Sequence, residues 1–347
     1  MILIFLILVG ILLFSLSAGN YMYLTSFKRS AFEKKSFIKN EPHVKDQKIM
    51  ESITSAKQRW LEKRVERNIE EIYIKGFSRK GWRNKITVRK APLLCGELWE
   101  PNTQIKKNLV IIVHGFSDSS NGMGYLAEEY NAKNFIVLVV NLRAHGKSSG
   151  KYPGLGYLDA KDMLKWILYV KNRYGEKIHI VLHGVSMGGS TVIQTLFSNE
   201  LWKDNNCLID EAVSDCSFGY FKDQIKTKIM NIFGKSKFQR AIGNFIYAGF
   251  SWACFFHAGF FIGESSPIKK IEKLKIANNK RGKTFLVIFQ GLKDSLVNPE
   301  NANMIYRAAE KKNITNNIVI KIDGAPHIGS YFYEPKKYMN TVIENLI

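Results

Sequence analysis

The sequence contains few cysteines and lacks the patterns of disulfide-rich, metal-binding and nucleic-acid-binding proteins. Its four cysteines among 347 residues show no paired framework. This fits a reduced or redox-indifferent compartment without excluding an extracytoplasmic one. No group of histidine, cysteine and aspartate has the spacing of a zinc site. Lysines are spread along the chain without a dense arginine stripe, so the net charge of +21 indicates mainly a solvated surface, with a modest case for proximity to a membrane. We therefore expect no nucleic-acid partner and no metal or other cofactor.

Charged side chains are also missing from the first 27 residues. Met1 to Phe27 is apolar over a length that can span a bilayer, and Tyr21 and Tyr23 suit the membrane interface. The alternative is a signal peptide cleaved near Ala18, but no basic residue precedes the apolar run, as is usual in signal peptides. The sequence predicts a single-pass transmembrane anchor at residues 1–27 and hence a membrane as one partner.

Basic residues follow this apolar segment, beginning with Lys28 and Arg29. The positive-inside rule places the rest of the chain on the cytoplasmic side, with an extracytoplasmic location as the alternative. Residues 28–85 are predicted to form a basic, partly helical connector. Within it, Glu51 to Glu71 carries apolar residues at helical intervals.

The most informative motif is Gly184-x-Ser186-x-Gly188, which follows an apolar run. This pattern is typical of a strand that turns sharply into a helix and exposes the serine hydroxyl above a sheet. A serine nucleophile needs a base and an acid that orients the base. His327 follows a predicted strand and is our candidate base. Asp294 is the favoured acid, and Asp215, at the end of another strand, is the alternative.

The order Ser186, Asp294, His327 is that of α/β hydrolases and differs from both protease orders. In that fold, backbone N–H groups stabilise the developing oxyanion, one from the residue after the nucleophile and one from the loop after the third strand. Met187 and Phe116 are the candidates for these two donors. The remaining histidines include His145, expected to be structural, His183, expected in the core, and His257, a candidate for the substrate pocket.

Apolar runs alternate with helical patterns through most of the chain, which predicts a mostly parallel sheet with helices on both faces. The predicted strands are Lys85–Arg89, Leu94–Trp99, Leu109–Val113, Phe135–Val140, Ile178–His183, Leu208–Ser214, Thr284–Gln290 and Ile318–Ile322. The predicted helices are Met123–Asn131, Ala160–Arg173, Met187–Ser198, Glu300–Lys311 and Pro335–Leu346.

These landmarks resemble the α/β-hydrolase superfamily, in particular its bacterial serine-aminopeptidase-like and monoacylglycerol-lipase-like members, including membrane-anchored ones. The resemblance covers about residues 86–347 and implies a single α/β-hydrolase domain with a helical cap. It rests on His114–Phe116, Asn141–Ser148, Gly184–Gly189, Gly291–Val297 and Pro326–His327. Two motifs depart from common family patterns: Asn141 and Ala144 replace aspartate and glycine in Asp-x-Arg-Gly-His-Gly, and Val185 precedes the serine where histidine or aspartate is frequent.

The family places its cap at about residues 217–282. Phe218 to Phe238 has an amphipathic helical pattern, whereas Ala241 to Gly263 is uncharged and rich in aromatic residues. A second membrane span there would separate Ser186 from His327, so we interpret this stretch as a hydrophobic lid, with a cap helix buried against the core as the alternative. Its glycines argue against one long helix.

Together these features predict a serine hydrolase that cleaves a carboxylic ester with an apolar acyl group through an acyl-enzyme. Hydrolysis of an amide or thioester by the same triad is the nearest alternative. A catalytically silent hydrolase fold that serves as a binding protein at the membrane is the alternative from another class. The sequence does not define an oligomeric state.

Overall fold

The computed structural model describes residues 2–33, 47–78, 90–103, 108–203, 206–234, 236–276 and 282–344. Its main feature is an eight-stranded sheet with the order β1-β2-β4-β3-β5-β8-β9-β10. The strands are β1 (Glu70–Lys75), β2 (Leu93–Trp99), β3 (Asn108–Val113), β4 (Ile136–Val140), β5 (His179–Val185), β6 (Trp202–Lys203), β7 (Asn206–Cys207), β8 (Glu211–Asp215), β9 (Phe285–Gly291) and β10 (Asn316–Ile322).

The sheet is parallel from β4 to β10, and β2 pairs antiparallel with both β1 and β4. The central strands β3 and β4 are almost wholly apolar, and β5 is mostly so, because helices cover both faces of the sheet. The short strands β6 and β7 form a separate hairpin.

Helices pack on the two faces of the sheet around two buried apolar clusters. Ile111 and Val113 belong to one cluster, and Val110 and Ile112 to the other, as expected for alternating side chains of a strand. The helices are α1 (Ile2–Phe27), α2 (Arg29–Phe32), α3 (Gln47–Glu62), α4 (Gly124–Ala132), α5 (Tyr157–Tyr174), α6 (Met187–Leu196), α7 (Phe221–Phe233), α8 (Lys237–Ala258), α9 (Pro267–Lys273), α10 (Glu300–Lys312), α11 (Ser330–Tyr333) and α12 (Pro335–Glu344).

The predicted mostly parallel sheet with flanking helices is therefore confirmed, and the strands predicted from Leu94 onward are present with small shifts at their ends. The strand predicted at Lys85–Arg89 lies outside the described residues. The connector prediction was wrong in one respect: the helix begun at Gln47 ends at Glu62, and Glu70–Lys75 forms the edge strand β1. Val65 fitted the helical spacing but is exposed, whereas Ile72 faces the core as a strand residue.

The predicted transmembrane helix over residues 1–27 is not found: among the described residues, no helix has both the length and the apolar character needed to cross a membrane. Instead, the helix that covers this stretch, α1, packs lengthwise on the cap helix α8. The two helices approach so closely that a Cβ on Gly19 would overlap the backbone of Phe250, and one on Gly249 would overlap the carbonyl of Ser15. The Ser15 hydroxyl also donates to the carbonyl of Phe245.

The cap consists of α7, α8 and α9, between β8 and β9. The expectation that glycines argue against one long helix over Ala241–Gly263 holds at Gly259, which ends α8 in a left-handed conformation, and was wrong for Gly243 and Gly249, which lie within the helix. Gly243 and Gly249 serve close packing instead: a Cβ on Gly243 would crowd the Met230 side chain of α7. The alternative interpretation, a cap helix buried against the core, applies to one side of α8. Phe250 and Cys254 are buried, whereas Phe245 and Phe256 are exposed.

Candidate active site

Ser186 occupies the sharp turn between β5 and α6. Its φ is +57°, a left-handed conformation that few residues other than glycine adopt. The turn is possible because the residues two positions before and after the serine are glycines: a Cβ on Gly184 would overlap the carbonyl of Gly188, and one on Gly188 would overlap the carbonyl of Val113. The Ser186 N–H donates to the carbonyl of Asp215 at 2.8 Å. The sequence motif thus forms the tight elbow that it predicted.

The structure brings the three residues proposed from the sequence into one hydrogen-bonded chain. His327 Nε2 lies 2.9 Å from Ser186 Oγ, and His327 Nδ1 lies 2.8 Å from Asp294 Oδ2. The imidazole and the carboxyl group are both buried. This is the arrangement in which a histidine can take the proton of a serine hydroxyl while a carboxylate holds the imidazole.

Two adjacent loops position the base and the acid. Asp294 follows β9, and its Oδ1 accepts the backbone N–H groups of Leu296 and Val297 at 2.9 and 2.8 Å. The loop after β10 carries His327, and the Lys293 N–H donates to the carbonyl of Ala325 at 2.9 Å. The carboxylate orientation and the spacing of the two loops are therefore set mainly by backbone hydrogen bonds.

Asp215, the alternative acid, lies at the end of β8, and its hydrogen-bond partners lie away from the histidine. Its carboxyl group accepts hydrogen bonds from the hydroxyls of Ser330 at 2.7 Å and Tyr338 at 3.3 Å. Burial raises the pKa of Asp215 to about 7, although nearby His327 opposes this shift. The geometry therefore favours Asp294 as the partner of His327 and assigns Asp215 to a buried network behind the site.

The candidate oxyanion loop follows β3 and lies directly beside the serine. A Cβ on Gly115 would lie 3.4 Å from the Cβ of Ser186, so the loop backbone passes within contact distance. Met187 is the first residue of α6, where the backbone N–H has no partner within the helix. His114 Nε2 accepts the N–H of Leu142 at 3.0 Å, and burial lowers the pKa of His114 to about 4, so its ring stays neutral as an acceptor.

Three other histidines of the described residues have structural partners. His145 Nε2 accepts the N–H of Ser117 at 3.2 Å, and burial lowers the pKa of His145 well below its usual value. His183 is buried between the hydroxyls of Tyr130 and Tyr338, at 2.8 Å from each. His257 was a candidate for the substrate pocket, but it bonds to Asn20 of α1 at 2.8 Å. It therefore joins the cap to the N-terminal helix.

Two residues of the site were missed at the sequence level. Gln290, the penultimate residue of β9, donates through Nε2 to Asp294 Oδ2 at 3.2 Å. Cys216 is buried, and its Sγ lies within 4.8 Å of donor atoms of Asp294 and His327. Its position directly after Asp215 at a strand end was the signal that could have identified it.

Cys216, Asp294 and His327 are, among the described residues, the group whose donor atoms are close enough to share a metal ion. A metal-bound cysteine is a thiolate, and burial raises the pKa of Cys216 well above its usual value. The carboxylate and imidazole already bond to each other. These properties favour a hydrogen-bonded site over a thiolate-metal site.

Solved structures and a family model agree with this fold. An esterase of Pyrococcus furiosus is 22% identical with a TM-score of 0.56, and the match covers 82% of this chain and 92% of that chain. An acylaminoacyl peptidase of Pyrococcus horikoshii is 15% identical with a TM-score of 0.50, over 80% of this chain and 41% of that chain. Residues 104–209 match the family model described as serine aminopeptidase, S33. The chain therefore has the α/β-hydrolase fold.

Among curated proteins, the matches are shorter. The protein YqkD of Bacillus subtilis, described as uncharacterized, is 28% identical over 123 residues, which are 35% of this chain and 38% of that protein. A monoacylglycerol lipase of Mycolicibacterium smegmatis is 29% identical over 98 residues, which are 28% of this chain and 34% of that lipase. The matched segments thus span little more than a third of these relatives.

Proposed function

We propose that the protein is a serine hydrolase that cleaves a carboxylic ester with an apolar acyl group. The observation that carries this proposal is the continuous chain from Ser186 Oγ through His327 to Asp294, with distances of 2.9 and 2.8 Å. A chance grouping would not be expected to place the hydroxyl, imidazole and carboxylate in this order at the strand ends of an α/β hydrolase.

The proposed reaction proceeds through an acyl-enzyme. His327 Nε2 takes the hydroxyl proton as Ser186 Oγ attacks the ester carbonyl, and Asp294 holds the Nδ1–H and stabilises the imidazolium. The backbone N–H groups of Phe116 and Met187 receive the developing oxyanion. His327 then protonates the leaving alcohol and afterwards activates the water that releases the acid.

An apolar acyl group suits the aromatic surroundings of the oxyanion loop. The ring of Phe116 contacts those of Phe27 and Phe32, at centroid distances of 5.2 and 5.1 Å. Phe27 in turn contacts Phe221 and Phe250 of the cap. Such rings bind hydrocarbon chains without demanding hydrogen bonds. The esterase and monoacylglycerol lipase among the similar proteins support an ester substrate.

Amide hydrolysis is the second candidate, because the matching family model and one structural relative are described as peptidases. Both reactions use the same site residues. They differ in the leaving group, which in an amide must be protonated before it departs.

A substrate series distinguishes these activities. The wild-type chain is assayed against p-nitrophenyl esters of graded acyl length, the matching thioesters and aminoacyl p-nitroanilides, beside Ser186→Ala and the exposed control Ser78→Ala. We expect the wild type to turn over esters, with a preference for longer acyl chains. Ser186→Ala should lose this turnover, and Ser78→Ala should keep it. Faster anilide cleavage would favour the peptidase, and no turnover of any substrate would favour a catalytically silent binding protein.

We also propose that the outer face of α1 attaches the protein to a lipid surface. Phe5 and Phe14 are 65% and 59% exposed, and Phe256 of the adjoining α8 is 62% exposed, so both helices present large apolar side chains to the solvent. Lys237 and Arg240, at the start of α8, are exposed, and basic side chains of this kind favour anionic lipid. The cytoplasmic orientation of the hydrolase domain stays a prediction.

A further inference from the structure

The N-terminal segment reaches the candidate oxyanion loop as well as the cap. Phe27, at the end of α1, is buried with its ring 5.2 Å from the ring of Phe116 in an edge-on contact. Phe32, at the end of α2, is also buried and lies 5.1 Å from the same ring. Two side chains from outside the sheet thus hold the residue whose backbone N–H is the proposed oxyanion donor.

Phe32 also supports the next residue of the loop through a histidine. Its ring stacks on His145 at a centroid distance of 4.9 Å and an interplanar angle of 29°. His145 Nε2 accepts the N–H of Ser117, whose φ of +59° is a strained conformation for a residue with a side chain. Because such a conformation persists only where its surroundings impose it, the loop depends on these contacts.

Polar contacts fix the segment between the two rings. The Arg29 guanidinium donates through Nη1 to the carbonyl of Ser148 at 2.6 Å, and the Arg29 N–H donates to the carbonyl of Lys151 at 2.9 Å. Both acceptors belong to the loop after β4 that also carries His145. Since α2 is hydrogen-bonded to the loop that carries His145, Phe32 has little freedom to move away from the histidine.

The other end of the segment is fixed to the cap. Tyr23 stacks on His257 with centroids 5.8 Å apart, and His257 bonds to Asn20. Gly19 and Gly249 bring α1 into backbone contact with α8. The helix therefore joins the cap to the oxyanion loop.

We propose that Phe27 and Phe32 are positioning residues that hold the Gly115–Ser117 loop in its oxyanion-binding conformation. This inference rests on the proposed serine hydrolase function. It makes the N-terminal segment part of the catalytic apparatus, in addition to its proposed role at a lipid surface. Neither phenylalanine is expected to touch the reacting atoms.

Steady-state kinetics of the full-length chain on a short, soluble p-nitrophenyl ester test the proposal. Phe27→Ala and Phe32→Ala are compared with Tyr21→Ala, which removes an aromatic ring from α1 at a residue that is 70% exposed. We expect kcat and kcat/KM to fall together by about tenfold, less than the 10²–10³ that removal of an oxyanion donor costs. Tyr21→Ala should match the wild type.

A trifluoromethyl ketone provides a readout that a purely structural role would not change. Its carbonyl carbon bonds to Ser186 Oγ, the serine proton passes to His327, and the carbonyl oxygen becomes an oxyanion in the proposed hole. Its affinity should fall with kcat in both variants, whereas affinity for the corresponding alcohol, which forms no adduct, should stay unchanged. Phe27→Leu and Phe32→Leu keep apolar volume and should show the same direction if the alanine variants do not fold.

The outcomes separate this inference from the function beneath it. Wild-type kcat in all folded phenylalanine variants would overturn the positioning role while leaving the hydrolase intact. A rise in KM with unchanged kcat would overturn it too, since the rings would then line the acyl pocket only. Absence of wild-type turnover on every ester would instead overturn the hydrolase function and this inference with it.

Discussion

Ser186 depends on glycines two positions away on each side and on partners that come from distant parts of the chain. Its left-handed backbone is accommodated by Gly184 and Gly188, where a Cβ would overlap a backbone carbonyl. Its base and the acid behind that base come from the loops after β10 and β9. The local sequence therefore determines the turn, and the parallel sheet brings the base and the acid to the serine.

The identity of the acid gives the first prediction. Asp294→Asn should lower kcat by about 10³–10⁴, because an amide does not stabilise the imidazolium that forms on His327. Asp215→Asn should lower kcat far less, since its partners are the hydroxyls of Ser330 and Tyr338. Both variants are assayed on one ester, with circular dichroism as the folding control. A larger loss in Asp215→Asn would reverse the assignment.

A buried carboxyl group away from the site gives the second prediction. Glu211 begins β8, and among the described residues neither of its carboxyl oxygens has a hydrogen-bond partner. Burial raises its pKa from 4.5 to about 9. The folded state therefore keeps a proton that the unfolded chain releases, and the stability associated with that proton is full below pH 4.5 and is lost as the pH rises towards 9.

Glu211→Gln removes this titration while keeping the shape of the side chain. Between about pH 6 and about pH 8, the free energy of unfolding of the wild type should fall relative to the variant by up to about 1.4 kcal/mol per pH unit. Urea denaturation at several pH values measures the difference. Parallel curves for the two proteins would show that Glu211 is already ionised in the folded state.

At the level of elements, the contact between α1 and α8 gives the third prediction. Gly249→Ala should separate the two helices, because its Cβ would overlap the Ser15 carbonyl, and overpacking of this kind costs about 1–3 kcal/mol. Gly10→Ala is the matched control on α1, where nothing lies within 4 Å of the added carbon. It should stabilise the helix by at most about 1 kcal/mol.

Thermal unfolding and the rate of proteolysis within α1 test this contact together. We expect a lower Tm and faster cleavage in Gly249→Ala, and neither change in Gly10→Ala. Equal Tm values and cleavage rates for Gly249→Ala and the wild type would contradict the close helix contact.

The same elements explain what could be predicted from the sequence. Buried strands such as Leu109–Val113 were recognisable because continuous apolar runs bounded by turns have few other interpretations. The continuity of α8 through Gly243 and Gly249 could not be recognised, since the sequence alone does not reveal that these glycines face other helices. Strand β1 was missed because the spacing of Val65 and Ile69 continued a helical pattern beyond the end of α3.

For the molecule as a whole, the order of Ser186, Asp294 and His327 along the chain predicted which residues would meet, because parallel strands present their carboxyl ends at one edge. The choice between Asp294 and Asp215 required the distances. The contact of Phe27 with Phe116 could not be predicted, since the two residues belong to elements far apart in sequence and share no motif.

Lipid attachment is the prediction for the whole chain. Full-length protein should float with vesicles that contain anionic phosphatidylglycerol, and less with phosphatidylcholine alone, because α8, which packs on α1, begins with the exposed basic residues Lys237 and Arg240. The combined variant Phe5→Ser, Phe14→Ser should float less, while Leu168→Ser, an exposed change on α5, should behave as the wild type. Equal flotation of all three proteins would contradict attachment through α1.

The most direct test of the central claim is the mass of the protein after reaction with a fluorophosphonate. The account predicts one adduct per chain, located on Ser186 by peptide mapping, formed much more slowly in His327→Gln and absent in Ser186→Ala. An adduct that persists in folded Ser186→Ala, or a folded wild-type protein that forms none, would contradict it.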